Sequence, residues 1–146
     1  MVMFMKFTII LIRPISNNED LSIINRVYYF FKSLSSEKNY VDSIDKFKWD
    51  LDIEPPSLIT HYFYDYDIPC LEYGIGFHYI NNQLYSIVII HSLQPLEEEQ
   101  TEKLRSIIAY LRALGYKPYM VVKSKEEKET HTITRYDPFY LEKYTQ

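Results

Sequence analysis

The stretch LEYGIGFHYINNQLYSIVIIH, from Leu71 to His91, sets the fold of this chain. Two segments of alternating apolar residues flank Asn81-Asn82-Gln83, and asparagine tolerates the positive φ angles of a tight turn. We therefore predict two antiparallel strands, at residues 71–80 and 84–91. The second segment is apolar on both faces, which indicates a central strand of the sheet.

One helix is predicted before this hairpin in the sequence, and a second helix is predicted after it. Ser16 and Glu19 have the spacing of a capping box, and two apolar stripes continue from there to about Leu34. So wide an apolar arc predicts burial on more than one side, against the sheet and against a loop or a second subunit. The second helix is predicted to start at Pro95 and to end before Gly115, which suits a left-handed C-terminal position.

The remaining segments complete an α+β domain. Strands are predicted at residues 6–15, 47–54, 58–67, 119–123 and 130–136. Ser35–Tyr40 is predicted to be a polar loop, and the tail, residues 137–146, is expected to pack across the domain. Since short turns join consecutive strands, we predict one domain over residues 1–146, a two-layer sandwich with a mostly antiparallel sheet. Its order is β-α-β-β-β-β-α-β-β, with two main helices packed on one face.

Glycine is scarce, with 3 in 146 residues, at Gly74, Gly76 and Gly115. A dinucleotide fingerprint needs three glycines at fixed spacing, and a Walker A loop needs two before a lysine. The three glycines fit neither pattern. Phosphate binding by a glycine-rich loop is therefore disfavoured, and no cofactor is predicted.

The net charge and the number of cysteines limit which partners and which cellular compartment we expect. The formal charge is −4, which disfavours a nucleic acid partner. With the single cysteine Cys70 no intrachain disulfide can form, so we expect a reducing, cytoplasmic location. The apolar run at residues 1–12 is shorter than the roughly 20 residues of a membrane span, so no membrane partner is expected. Abundant tyrosine with scarce cysteine and glycine is typical of AT-rich genomes, including those of thermophilic archaea and their viruses.

One constellation has the residue types of a metal site. Alternation puts His61, Asp65 and Asp67 on one face of a strand, and a hairpin could bring Glu72 and His78 close to them. Imidazoles with carboxylates suit a divalent transition metal, which predicts a metal site at His61, Asp65, Asp67 and His78. The alternative is that the aspartates are turn residues at the strand end and the histidines lie on a solvated face.

A tyrosine-rich sheet surface is the second candidate site. It comprises Tyr62, Tyr64 and Tyr66, with Tyr73, Phe77 and Tyr79 one strand over. If exposed, these rings suit a protein interface, where tyrosine is enriched, or a platform for unpaired bases. If buried, they are cross-strand pairs that stabilise the sheet.

No catalytic signature is found in the sequence, so an enzyme is disfavoured. The leading hypothesis is a small interaction or regulatory domain that self-associates, as a homodimer, or binds another protein. The contact is expected through the apolar first helix or the tyrosine-rich surface. One alternative is a metal-dependent hydrolase or nuclease that uses the His/Asp cluster, and another is a single-stranded nucleic-acid binder.

Overall fold

Seven strands and two helices form the part of the chain that the computed structural model describes, residues 5–41, 57–125 and 130–135. In chain order they are β1 (Met5–Pro14), α1 (Asn18–Leu34), β2 (Ser35–Val41), β3 (Ser57–Asp65), β4 (Leu71–Ile80), β5 (Gln83–Ser92), α2 (Glu98–Ala113), β6 (Lys117–Lys125) and β7 (Thr130–Arg135). The strands form one sheet in the order β2-β3-β4-β5-β1-β6-β7, and each neighbouring pair is antiparallel. The predicted α+β class with an antiparallel sheet is confirmed.

The hairpin of β4 and β5 forms at the predicted place. Asn81 and Asn82 have φ angles of 49° and 66°, which is the left-handed pair that a two-residue hairpin turn requires. Residues Val88–Ser92 are all buried, and β5 lies between β4 and β1. The prediction that this segment is a central strand is therefore confirmed.

The segment after α1 differs from the prediction. Residues 35–41 form the edge strand β2 instead of a polar loop. Its register with β3 shifts between Ser35 and Tyr40, so the segment need not show regular apolar alternation. The predicted strand at residues 47–54 and the tail at residues 137–146 lie outside the described residues.

Both helices begin later than predicted. The side chain of Asn17 accepts the backbone N–H groups of Glu19 and Asp20, and the carboxylate of Asp20 accepts those of Ser16 and Asn17. The capping box is therefore Asn17 with Asp20, one residue beyond the predicted pair. Helix α2 begins at Glu98 and not at Pro95.

The two helices pack on the same face of the sheet. One buried cluster joins Leu11, Phe63, Tyr73, Ile75 and Val88 of the sheet with Val27 and Phe31 of α1 and Leu104, Ile107 and Leu111 of α2. The opposite face has its own buried cluster, formed by Ile10, Ile12, Ile59, Tyr62, Ile87, Ile89 and Met120. The second cluster shows that the face without helices is also covered. The predicted arrangement of only two layers therefore stays a prediction.

Contacts at their ends show that the helices run in opposite directions. The Arg13 guanidinium pairs with Asp20 at the start of α1, and its Nε donates to the carbonyl of Leu114 just after α2, at 2.9 Å. At the other end, Leu34 of α1 and Lys103 of α2 both contact the turn between β3 and β4. The start of each helix therefore lies beside the end of the other.

Candidate functional site

The sheet separates the two histidines of the predicted metal site. His61 pairs with Ile75 on the face that carries the helices, and its ring meets Tyr28 edge-on with the centroids 4.8 Å apart. His78 lies on the opposite face, where its ring centroid is 6.0 Å from that of Tyr119. Burial lowers the pKa of His78. The structure therefore does not bring the two imidazoles together.

Asp65 and Asp67 do lie close together, at the start of the turn between β3 and β4. The buried carboxylate of Asp65 accepts the N–H groups of Asp67 and Ile68 at 2.8 Å, the Tyr73 hydroxyl at 2.5 Å and the Lys103 ammonium at 3.1 Å. Burial is the largest cause that raises the pKa of Tyr73 above its usual range, and the hydrogen bond to Asp65 is the next. These donors make Asp65 the link between this turn and α2. Within the described residues, no group of three or more His, Cys, Asp or Glu could hold a metal ion.

A β-bulge changes which residues of β3 share a face. The register with β4 shifts between Ile59 and His61, which leaves Thr60 as the extra residue. Ile59 and Tyr62, three positions apart, consequently lie in the same buried cluster. Simple alternation along β3 therefore fails at Thr60.

Two of the predicted interface tyrosines are fully buried, and they lie on opposite faces. Tyr62 belongs to the cluster on the face away from the helices, and Tyr73 belongs to the cluster beneath them. The reason is the register, which pairs Tyr73 with Phe63 and not with Tyr62. Neither ring is accessible to a nucleic-acid base.

The other four aromatic residues do not form one surface either. Tyr64 and Phe77 are partly buried. Tyr66 is 69% exposed just after β3, whereas Tyr79 is 50% exposed near the far end of β4. The expectation of one tyrosine-rich surface is thus not met, because burial, register and strand length separate its members.

A row of buried polar residues crosses the face away from the helices, and the sequence patterns did not single it out. Glu72 of β4 pairs with His91 of β5, which pairs in turn with Thr8 of β1. The hydroxyl of Thr8 lies 2.7 Å from Nδ1 of His91. Burial, and then the hydrogen bond with Glu72, raise the pKa of Tyr62 above its usual range. All three side chains of the row are buried, with exposed fractions of 3% or less.

Helix α1 carries the remaining candidate surface, on the side that faces away from the sheet. Leu21 is 50% exposed and Tyr29 is 64% exposed, and they are two of the five large hydrophobic residues exposed in the described chain. A spacing of eight residues puts both on the outward side of the helix, with the exposed Asn25 between them. The apolar arc of α1 is thus buried on its inner side and open to solvent on the outer side.

The outward side of α2 differs in composition from the outward side of α1. Its exposed residues are charged or small: Glu98, Glu99, Glu102, Arg105, Ser106, Ala109 and Ala113. A solvated helix face normally has this composition. The large apolar side chains exposed in the helix layer are therefore confined to α1.

No protein family, curated protein or solved structure matches this chain. None of the described helices has the length and apolar character needed to cross a membrane.

Proposed function

We propose that this protein is a non-enzymatic interaction or regulatory domain that self-associates through the outward face of α1. The observation that carries the proposal is the exposure of Leu21 and Tyr29 on one side of one helix. Tyrosine is enriched at protein interfaces, where its ring adds apolar area and its hydroxyl remains hydrogen-bonded. A second protein surface would remove both side chains from water.

The size of the apolar contribution sets the expected affinity. Fully burying a side chain of this size contributes about 1.5–3 kcal/mol, and Leu21 and Tyr29 begin roughly half exposed. A symmetric dimer buries each residue twice, so the four side chains contribute about 3–6 kcal/mol before the entropic cost of association. Micromolar binding corresponds to about 8 kcal/mol. We therefore expect association in the micromolar range, with polar contacts supplying the remainder.

The other functions considered from the sequence lack comparable support. A metal-dependent hydrolase built on His61 and His78 would need both imidazoles on one face of the sheet, and they lie on opposite faces. A single-strand binder would need accessible rings at Tyr62 and Tyr73, and both are buried.

Sedimentation equilibrium at roughly tens of micromolar tests the proposal. We expect the wild-type chain to show a dimer fraction that rises with concentration, and Tyr29→Glu to shift it toward monomer. Tyr79→Glu is the matched control, because Tyr79 is also a half-exposed tyrosine but lies on β4 and not on the outward face of α1. A monomeric wild type would contradict the proposal, as would a dimer disrupted by the control and not by Tyr29→Glu.

A further inference from the structure

We infer that the second copy binds reciprocally, with α1 of each copy lying on α2 of the other. This inference rests on the proposed function and adds the arrangement of the partner. The two helices lie side by side on one face of the sheet and run in opposite directions. A two-fold axis parallel to them turns one helix pair over onto the other, so that α1 meets the partner's α2. Each contact is then made twice.

The contacts of Arg13 at the helix ends determine which residues of α1 and α2 lie at the same height, that is, at the same position along the parallel helix axes. The carboxylate of Asp20 and the carbonyl of Leu114 lie at about the same height along the helix pair, because both bind Arg13. Both helices rise by 1.5 Å per residue, so we can count inward along α1 and backward along α2. This count places Leu21 level with Ala113, Asn25 with Ala109, Tyr29 with Arg105 and Lys32 with Glu102.

The sizes of the side chains at these levels are complementary. The exposed Leu21 meets the part of α2 where Ala109 and Ala113 are exposed. Alanine extends no further than Cβ, so these positions leave a shallow depression for a larger side chain. Asn25 lies above Ala109 near the middle of the contact, where two helices approach to about 8–10 Å.

The charges at these levels are complementary as well. Lys32 of α1 is level with Glu102, and Glu98 and Glu99 follow on the next turn of α2. Tyr29 is level with Arg105, whose guanidinium can lie over the ring. Charges of opposite sign across an interface favour one orientation over its alternatives.

The alternative of α1 pairing with its own copy is less favourable. An antiparallel α1 pair centred on Asn25 brings Leu21 near Tyr29 of the second copy, but it also brings Arg26 beside Arg26. Like charges placed opposite each other are destabilising. The reciprocal arrangement separates these two arginines, places Arg26 level with Ile108 between Arg105 and Arg112, and sets Lys32 against the acidic first half of α2.

Disulfide trapping tests the arrangement in a Cys70→Ser background. The chain with both Asn25→Cys and Ala109→Cys should form a covalent dimer under mild oxidation, since a disulfide requires Cα atoms about 4.4–6.8 Å apart. Each single variant is the matched control and should remain without a cross-link. Both positions are exposed on helices, so we expect folding to be preserved, and circular dichroism checks this.

Charge exchange between the helices is the second measurement. Lys32→Glu and Glu102→Lys should each weaken the dimer by roughly threefold or more. The chain that carries both changes restores the opposite-charge pair and should return to within about twofold of wild type. Thermal unfolding monitors Glu102→Lys, because Glu102 also pairs with Arg105 in its own helix at 2.5 Å.

The outcomes separate this inference from the proposed function. A covalent dimer in the double cysteine variant only, with restoration by charge exchange, supports the reciprocal arrangement. A covalent dimer from Asn25→Cys alone overturns it in favour of the α1 pair. A wild type that dimerises while neither experiment responds overturns the arrangement and leaves the proposed function standing. A monomeric wild type overturns both.

Discussion

The hydroxyl of Tyr73 donates a 2.5 Å hydrogen bond to the buried carboxylate of Asp65, which joins β4 to the end of β3 beneath the helices. Lys103 brings α2 to the same carboxylate at 3.1 Å. One acidic side chain thus connects two strands and a helix. The sequence suggested Asp65 as a metal ligand, and its surroundings instead give it a structural role.

Removing this carboxylate should strongly destabilise the fold. Asp65→Ala leaves the Tyr73 hydroxyl, the Lys103 ammonium and two backbone N–H groups without their acceptor, so we expect a loss of about 3–5 kcal/mol. Tyr73→Phe should cost about 1.5–3 kcal/mol. Urea unfolding measures both. Asp67→Ala is the control, since its exposed ion pair with Lys103 is worth at most about 1 kcal/mol. Equal stability of the two aspartate variants would refute this role.

Asp20 should make stability depend on pH in the acid range. The N–H of Ser16, then the Arg13 side chain and the N–H of Asn17, lower the pKa of Asp20 to about 2. The pKa of an aspartate in the unfolded chain is about 4, so between these two values the unfolded chain binds more protons. The stabilisation is therefore complete above about pH 4 and is lost as the pH falls toward 2. Urea unfolding should show the advantage of wild type over Asp20→Asn shrinking through this window. A difference that does not change with pH would count against the assignment.

Gly115→Ala should destabilise the end of α2. Gly115 has a φ of 94°, which side-chain-bearing residues rarely adopt, and a Cβ placed there would lie 3.0 Å from Nε of Arg13. We expect a loss of about 1–2 kcal/mol in thermal or urea unfolding. Repeating the change in an Arg13→Ala background removes the steric contact and retains the backbone strain. A neutral effect in both backgrounds would show that neither cause operates.

Thr8→Val should weaken the sheet through the buried polar row. Valine keeps the shape of threonine but loses the hydroxyl that lies 2.7 Å from the His91 ring, so the expected loss is about 1–2 kcal/mol. Thr101→Val is the control, because the Thr101 hydroxyl donates to a backbone carbonyl at the exposed start of α2. That change should stay within about 0.5 kcal/mol. Equal unfolding midpoints for the two variants would show that the hydrogen bond between Thr8 and His91 does not stabilise the sheet.

Much of the fold could be predicted because its signals are local. The turn at Asn81-Asn82 and the alternation on either side of it located β4 and β5. Gly115 marked the end of α2. The strand at Ser35–Val41 was missed because its register with β3 shifts and its mostly polar residues show no apolar alternation. The capping box was misplaced by one residue because Asp20 also binds Arg13, a contact that requires β1 and α1 to be in place.

The candidate site was harder to predict. It depends on how β3 pairs with β4 and on which residues the packing of helices on the sheet leaves exposed. The bulge at Thr60 and the pairing of Tyr73 with Phe63 assign faces that counting along one strand cannot supply. The same limit applied to His61 and His78, whose separation by the sheet follows from this register. The width of the apolar arc on α1 was visible in the sequence. Which of its residues stay exposed, Leu21 and Tyr29, depends on where the sheet lies.

Sedimentation velocity at roughly tens of micromolar on wild type, Leu21→Glu and Leu93→Glu tests self-association through the outward face of α1. Leu93 is 39% exposed in the loop before α2, so its variant places the same charge on an exposed leucine outside the helix face. Wild type and Leu93→Glu should both sediment as dimers, and Leu21→Glu as the 17.6 kDa monomer. The same sedimentation coefficient for all three chains, whether monomeric or dimeric, would contradict a role for the outward face of α1.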